Sequence, residues 1–442
     1  MKRLAALLAA CLVLAGCAAA PRSDAGAASP AASAPAQSTQ STGANPDLAG
    51  LELQVLPEMS AVTTEGFYTM ALAPQSDDSL CILYGDFQSS SLIPLCAAPG
   101  CTHTGPECQS WLPACGGARP MVIGEQLFLV FPGLPGSADE YGENALAKVM
   151  TLEPDGSGKT LLTRFGAAQQ LSDPYITDGK DLYCTLQTVE DGWPKEELIR
   201  IELATGEWES IYQMDMEHDE QLTDAFGSCV LLSSLGQNMD DTIADGMVTT
   251  VFSRLDLSTG EKAQVFAPPS GDTQRAFQGR ELYYYSQSEN ALHCLDCETL
   301  TDKVLKQPVV PEPFAPEDAE FRDCRDGHAL FLLFPPDSDD FSLLQVDLAT
   351  GESSDFTLTY SDIMGSERRV SVLATLPGTD RYLVDLGEQA VDYPTELSDG
   401  TPHRDEDRPP PLRRDGRGGL LELDPQLPDP QLFRVNQGRN PS

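Results

Sequence analysis

A glycine followed three and four residues later by two apolar residues recurs along this chain. It appears as Gly124 before Leu127-Phe128, Gly179 before Leu182-Tyr183, Gly227 before Val230-Leu231, Gly279 before Leu282-Tyr283 and Gly327 before Leu330-Phe331. Looser copies lie at Gly66-Phe67-Tyr68 and at Gly378 ahead of Tyr382-Leu383. Successive glycines are 58, 55, 48, 52, 48 and 51 residues apart. The apolar runs that follow, such as Leu127-Phe-Leu-Val-Phe131, have strand length and strand composition. A glycine just ahead of such a run fits a hairpin turn that needs positive φ.

A second element follows each run. Ile201-Glu-Leu-Ala-Thr-Gly-Glu207, Leu255-Asp-Leu-Ser-Thr-Gly-Glu261 and Val346-Asp-Leu-Ala-Thr-Gly-Glu352 are near copies, and Leu295-Asp-Cys-Glu-Thr-Leu-Thr301 is a degraded one. Tyr84-Gly-Asp-Phe-Gln-Ser89, Leu152-Glu-Pro-Asp-Gly156 and Leu421-Glu-Leu-Asp424 hold the corresponding places. Apolar-acidic-apolar alternation ends a strand, and Thr-Gly turns the chain into the next one. One period therefore reads strand, Gly turn, strand, variable loop, strand, Thr-Gly turn, strand.

Four antiparallel strands per period of about fifty residues is the grammar of a propeller blade. The pattern predicts an all-β chain with a single β-propeller of seven four-stranded blades, six or eight being the neighbouring solutions. Two stacked β-sandwiches also use short strands and Gly-rich turns, but they impose no even period. The repeats resemble the YVTN-like and TolB-like propeller repeats of exported bacterial proteins over roughly residues 50 to 435. That likeness speaks to fold alone.

The first residues set the compartment. Lys2 and Arg3 precede an apolar run from Ala5 to Leu14, and the segment ends Leu14-Ala15-Gly16-Cys17. This is the layout of an export signal, too short to span a bilayer as a helix. Its ending resembles the lipobox of bacterial lipoproteins. The resemblance implies cleavage before Cys17, lipidation of its sulfur with palmitate-type acyl chains, and a protein anchored on the extracytoplasmic face of the cell membrane. Residues 18–46 are almost all Ala, Ser, Pro, Gly, Thr and Gln. They cannot build a core and read as a flexible tether with a root-mean-square reach of about 30 Å. The domain reading is 1–16 signal peptide, 17–48 lipid-anchored linker, 49–436 propeller and 437–442 tail.

Charge narrows the partners. With 28 Lys plus Arg against 68 Asp plus Glu, the net charge is −40. Such a surface repels nucleic acid and anionic headgroups, so nucleic-acid binding is excluded as a working class. Solubility and self-repulsion are what the charge directly explains, and a monomer is expected.

Ten cysteines remain after Cys11 leaves with the signal and Cys17 takes lipid. The densest chemistry lies in the link from blade one to blade two: Cys96-Ala-Ala-Pro-Gly-Cys101-Thr-His103-Thr-Gly-Pro-Glu-Cys108, with Trp111 and Cys115 following. Three thiolates and one imidazole suit a tetrahedral zinc site. The spacing C-x4-C-x-H-x4-C is not that of a zinc knuckle. The same residues, with Cys115, suit two disulfides in an oxidising compartment, and free thiols are the third reading. The Pro99-Gly100-Cys101-Thr102-His103 run resembles segments of propeller lipoproteins, a pattern that brings no activity with it. Elsewhere Cys297 aligns with the core positions Leu203, Leu257 and Leu348. Cys294 lies on the opposite strand face, which argues against a redox pair. Cys184 and Cys229 read as small core hydrophobes.

In this layout the loop after the second strand and the link to the next blade share one face. The Gly and Thr-Gly turns share the other. The first face carries the variable loops 132–147, 188–197, 235–247, 335–340 and 387–419, and recognition resides on such loops. Trp111, Tyr141, Trp193 and Tyr393 are its candidate binding aromatics. Gly158-Lys159-Thr160 imitates the end of a phosphate loop, but Glu153 stands where its first glycine belongs. No Gly-x-Ser-x-Gly and no His-Glu-x-x-His occurs. Residues 238–246 lack calcium-loop spacing. His218, His293, His328 and His403 share no site-like spacing.

The leading expectation is a surface-anchored binding or scaffold protein that recognises an extracellular protein or glycan through one loop face. It is not an enzyme on this reading and requires no cofactor, zinc being the one metal the cysteine segment admits. The alternatives are a carbohydrate-active enzyme, lyase or glycoside hydrolase, using carboxylates in the propeller channel, and a metal or redox sensor at the Cys/His segment.

Overall fold

In a computed structural model, the described residues are 45–56, 61–73, 79–89, 91–113, 117–190, 192–237, 248–267, 273–325, 327–335 and 342–355. Short strands at 359–361, 367–369, 371–375, 382–385, 420–423, 431–432 and 434–435 are described as well. Cys17, the signal and tether, Cys115, Tyr393, His403 and the loop 387–419 lie outside them. Among the described residues no helix is long and apolar enough to cross a membrane.

The described chain is nearly all β. Strand β1 (Gln54–Val55) comes first, then β2 (Gly66–Leu72), β3 (Leu80–Asp86), β4 (Ser91–Pro94) and β5 (Trp111–Leu112). A second sheet holds β6 (Arg119–Ile123), β7 (Gln126–Phe131), β8 (Lys148–Leu152) and β9 (Thr160–Arg164). A third holds β10 (Gln169–Thr177), β11 (Asp181–Glu190), β12 (Trp193–Glu202) and β13 (Trp208–Gln213). A fourth holds β14 (Gln221–Phe226), β15 (Cys229–Gln237), β16 (Val248–Asp256) and β17 (Lys262–Phe266). Sheets of the same sequential order are formed by strands within residues 273–306, by strands within 319–325, 328–333, 342–347 and 353–355, and by strands at 371–375, 382–385, 420–423 and 431–432. Each is antiparallel with neighbours in chain order, as hairpin connections require.

The hydrophobic core explains the unbroken apolar runs. One cluster joins the first two sheets through Tyr68, Ile82, Leu95, Leu127, Leu129 and Phe131. The next joins the second and third through Phe128, Val130, Val149, Leu182, Cys184 and Ile199. Strand β7 therefore sends Leu127, Leu129 and Phe131 to one neighbour and Phe128 and Val130 to the other. A strand buried on both faces has no use for polar alternation. The third and fourth sheets share Ile176, Tyr183, Leu198, Leu222 and Val230. The fourth and fifth share Leu231, Phe252, Leu282 and Cys297. First strands of successive sheets also lie side by side, β2 with β6 and β10 with β14. Sheets stacked face to face in chain order, with first strands adjacent, are what a propeller requires.

The Thr-Gly turn has two physical causes. Its acidic residue accepts amides: Asp86 Oδ1 takes the Ser89 N–H, Asp296 those of Glu298 and Thr299, and Asp347 those of Ala349 and Thr350. In each case the amide three residues on holds the carboxyl below its ordinary range. Its glycine abuts the preceding sheet. A Cβ on Gly206 (φ +80°) would stand 2.1 Å from the Leu162 carbonyl oxygen, and one on Gly156 (φ +84°) 2.2 Å from that of Leu95.

Both described ends of the chain add strands to other sheets. The β1 strand pairs antiparallel with β10, on the side away from β11. Leu53 donates its N–H to Gly227 O, and Leu48 and Leu53 are buried in the core between the third and fourth sheets. At the other end Arg434–Val435 pairs in parallel with Ser91 and Leu92 of β4.

Candidate metal centre in the outer strand of the first sheet

The cysteine segment is not the link between two sheets. Strand β4 pairs with β3 from Asp86↔Ser91 to Leu83↔Pro94, and β5 then resumes on the same strand at Cys81↔Trp111 and Leu80↔Leu112. Leu95 donates to Ile82 O at 2.9 Å, and Ile82 donates to Ser110 O at 2.8 Å. Residues 96–110 are thus an excursion from one strand, leaving and rejoining at a single residue. The Trp111-Leu112 pair is apolar enough to resume the ladder but too short to stand out in the sequence.

Inside the excursion the turns are tight. Gly100 has φ +74° and His103 φ +56°. Cys101 N–H points to Ala98 O at 3.3 Å, and Cys108 N–H donates to Gly105 O at 3.0 Å. Gln109 Oε1 accepts the Ala97 N–H at 3.0 Å. These contacts fold the segment so that ligand atoms of Cys96, Cys101, His103 and Cys108 all lie within 4.8 Å of one another. His103 Nδ1 is 3.3 Å from Cys108 Sγ, so Nδ1 is the nitrogen turned into the cluster. Cys108 is buried and the other three are half-buried.

Three neighbours complete the surroundings. The Ser110 hydroxyl, fully buried, lies 3.0 Å from Cys108 Sγ and 3.0 Å from Cys81 Sγ. Lys159, just ahead of β9 in the second sheet, donates Nζ to Trp111 O at 3.0 Å. Burial lowers the Lys159 pKa, while Cys108, Cys81 and Cys96 pull the other way. Burial opposes a thiolate at Cys96, but the Ala98 and Gln109 amides and the Cys101 and Cys108 thiols bring its pKa down. That of Cys101 is raised: the His103 amide works against the rise, and burial with the neighbouring Cys108 and Cys96 sulfurs outweighs it. One thiolate is easy to form here and the next is not, as expected for crowded acids.

The remaining candidates are dispersed over successive sheets. Trp111 is half-buried against a cluster containing Phe67, Cys81 and Leu83. Tyr141 ends the four-residue helix α1 (Ala138–Tyr141) in the connection between β7 and β8 and is half-buried. Trp193 is 78% exposed. The stretch 188–197 around it is not a loop: β11 and β12 stay paired out to Glu190↔Trp193. Beyond the buried Leu186, Gln187–Glu190 carry the ladder on past the core, so Trp193 rides on a hairpin tip. Cys297 and Cys184 are fully buried, and burial pushes the Cys297 thiol up to about 12. Ser110 and Cys81 gave no signal of their own in the sequence, and Lys159 stood out only in an imitation of a phosphate loop, since their roles come from contacts across strands and sheets.

No family profile and no curated protein matches the sequence. Solved structures do. The chain is similar to an oligogalacturonate lyase in complex with manganese (12% identity, TM-score 0.40, covering 76% of this chain and 94% of that one). It is similar to the β-propeller domain of the Trilobed protease from Pyrococcus furiosus (9% identity, TM-score 0.44, 84% and 92%). It is also similar to TolB from Acinetobacter baumannii (13% identity, TM-score 0.32, 72% and 75%). The neighbours are TolB-like and β-propeller proteins, and the likeness concerns fold alone.

Proposed function

We propose that the protein is an extracytoplasmic lipoprotein, anchored through lipid on Cys17, whose seven-bladed propeller turns its loop face toward an extracellular protein or glycan. The observation that supports this reading is the point where the chain enters the folded unit. In every antiparallel sheet the first-to-second and third-to-fourth turns lie at one end of the strands, and the second-to-third connections at the other. Leu53 is bonded to Gly227, in the first-to-second turn of the fourth sheet, and β1 runs antiparallel to β10 from there. The chain thus enters the propeller on its turn side. The side chains of Trp193 and Tyr141 belong to connections at the opposite end of the strands. On this reading the variable connections lie on the side of the propeller away from the point where the chain enters it, and the net charge of −40 disfavours contact with an anionic membrane.

The test is made on the full chain in a lipoprotein-processing bacterial host. Palmitate-analogue labelling and protease shaving of intact cells read anchor and exposure, with Cys17→Ala as the unlabelled control. Crosslinking on cells then compares Trp193→Ala with the turn-side variant Lys180→Ala. Labelling lost in Cys17→Ala, and partners lost only in Trp193→Ala, support the reading. An unmodified Cys17, or partners that follow Lys180, overturns it.

A further inference from the structure

We infer that Cys96, Cys101, His103 and Cys108 bind one structural zinc ion that fastens the break in the outer strand of the first sheet, with the Lys159 ammonium balancing its charge. The inference rests on neither the lipid anchor nor the loop face.

The donor set comes first. Three sulfurs and one imidazole nitrogen within 4.8 Å of one another are the size and composition of a tetrahedral shell. A regular tetrahedron with edges at that upper limit has its centre about 2.9 Å from each vertex, so only small donor shifts separate this arrangement from Zn–S lengths of about 2.3 Å and a Zn–N length of about 2.0 Å. A disulfide would bring together two of these sulfurs and give His103 no part. Yet His103 takes a left-handed backbone conformation, uncommon for a residue with a side chain, and its Nδ1 is turned to Cys108. All four positions are filled by protein, so no coordination site is left for a substrate. This is the pattern of a structural centre, not a catalytic one.

Charge and location come next. Zinc with three thiolates and a neutral imidazole carries one negative charge. Lys159 holds the carbonyl of Trp111, where the excursion rejoins the strand, next to Ser110, whose hydroxyl lies 3.0 Å from Cys108 Sγ. It reaches there from the second sheet, so the centre couples two sheets. The Ser110 hydroxyl touches Cys108 Sγ as an outer-shell partner. The chain enters the centre directly after Leu95, and the preceding residues Ser91 and Leu92 receive the C-terminal strand. The zinc thus secures the strand on which the end of the chain is docked.

The experiment uses the detergent-solubilised full chain. Elemental analysis is expected to give one zinc per chain, and cobalt exchange to give tetrahedral thiolate absorption. Cys108→Ser should lose the metal. His103→Cys should keep one zinc and shift the cobalt spectrum toward four sulfurs, which decides the matter even if Cys108→Ser does not fold. Lys159→Met should weaken zinc retention against a competing chelator by about 10- to 100-fold, with Lys159→Arg restoring it; Cys229→Ser is the control that retains the metal. Intact mass showing these cysteines in disulfides, with no zinc taken up after reduction, overturns the inference. So does His103→Ala binding zinc as tightly as the parent, or a different metal recovered in zinc's place.

Discussion

The first and third sheets are built from the same repeat and treat it in opposite ways. In the third, β11 and β12 pair without interruption from Asp181↔Glu202 to Glu190↔Trp193. In the first, the outer strand opens at Leu95 and closes again at Trp111. The third takes the N-terminal strand at its inner edge, and the first takes the C-terminal strand at its outer edge. Their cysteines differ accordingly. Cys184 is fully buried in the regular sheet, and burial drives its thiol pKa up. Cys96 sits where the ladder has been interrupted, so the amides of Ala98 and Gln109 are free to support a thiolate. The residue type is the same, and whether the backbone has already spent its donors on a sheet decides the chemistry.

The sharpest way to break this comparison is one substitution made in both places. Gly206 and Gly156 occupy the same turn, each with positive φ and each against a carbonyl of the preceding sheet. Alanine at either position meets that oxygen at 2.1 or 2.2 Å. We expect each variant to lose about 3 kcal/mol or more, from the clash and the left-handed backbone together, read by denaturant unfolding. The carbonyl facing Gly156 belongs to Leu95, next to Cys96, whereas the one facing Gly206 belongs to Leu162. On the zinc inference, Gly156→Ala should also speed metal release to a chelator, and Gly206→Ala should not. Equal release from both would mean that the centre does not depend on the strand that holds it.

The added strands give the next effect. Leu53 is 5% exposed in the core between the third and fourth sheets. Leu53→Ala should cost about 2–4 kcal/mol by unfolding. A cost below about 0.5 kcal/mol would show that the N-terminal segment only rests on the third sheet. Asp224, on the first strand of the fourth sheet, follows. Burial raises its pKa to about 6, against the pull of the Ala225 amide. The folded form then holds a proton that the unfolded chain gives up, so stability falls as pH rises from the ordinary carboxylate range through about 6. Asp224→Asn should be more stable than the parent at pH 7.5 by about 1–3 kcal/mol, and the gain should vanish below pH 4. A pH-independent difference would remove burial as the cause.

How far the sequence revealed this arrangement depends on where each residue's reason lies. The Gly and Thr-Gly turns were legible because two of their causes are local: a left-handed backbone and an acidic side chain capping its own turn. The four soft ligands were legible because they are close in sequence. The position of the excursion inside a strand was not, since only the two residues Trp111 and Leu112 continue the ladder. Nor was β1, whose Leu51–Leu56 run falls outside the fifty-residue period and pairs with a strand more than a hundred residues away. The role of Lys159 was hidden for the same reason. Its partner is a main-chain oxygen of another sheet, and no spacing encodes that.

The smallest expected effect tests the regular sheet at its tip. Trp193 is 78% exposed, on the hairpin end that β11 and β12 extend beyond the core. Removing an exposed side chain away from any core or cap changes stability by no more than about 0.5 kcal/mol. A large aromatic held in water on a rigid hairpin therefore contributes little to folding, and loss of its ring leaves the ladder from Asp181 to Glu190 in place. Trp193→Ala should match the parent in thermal unfolding, and quenching of Trp193 fluorescence by acrylamide in the parent should be that of a solvated indole. A drop of several degrees in Tm would mean that the hairpin tip packs on a neighbouring connection, and the outward placement assigned to this aromatic would then be wrong.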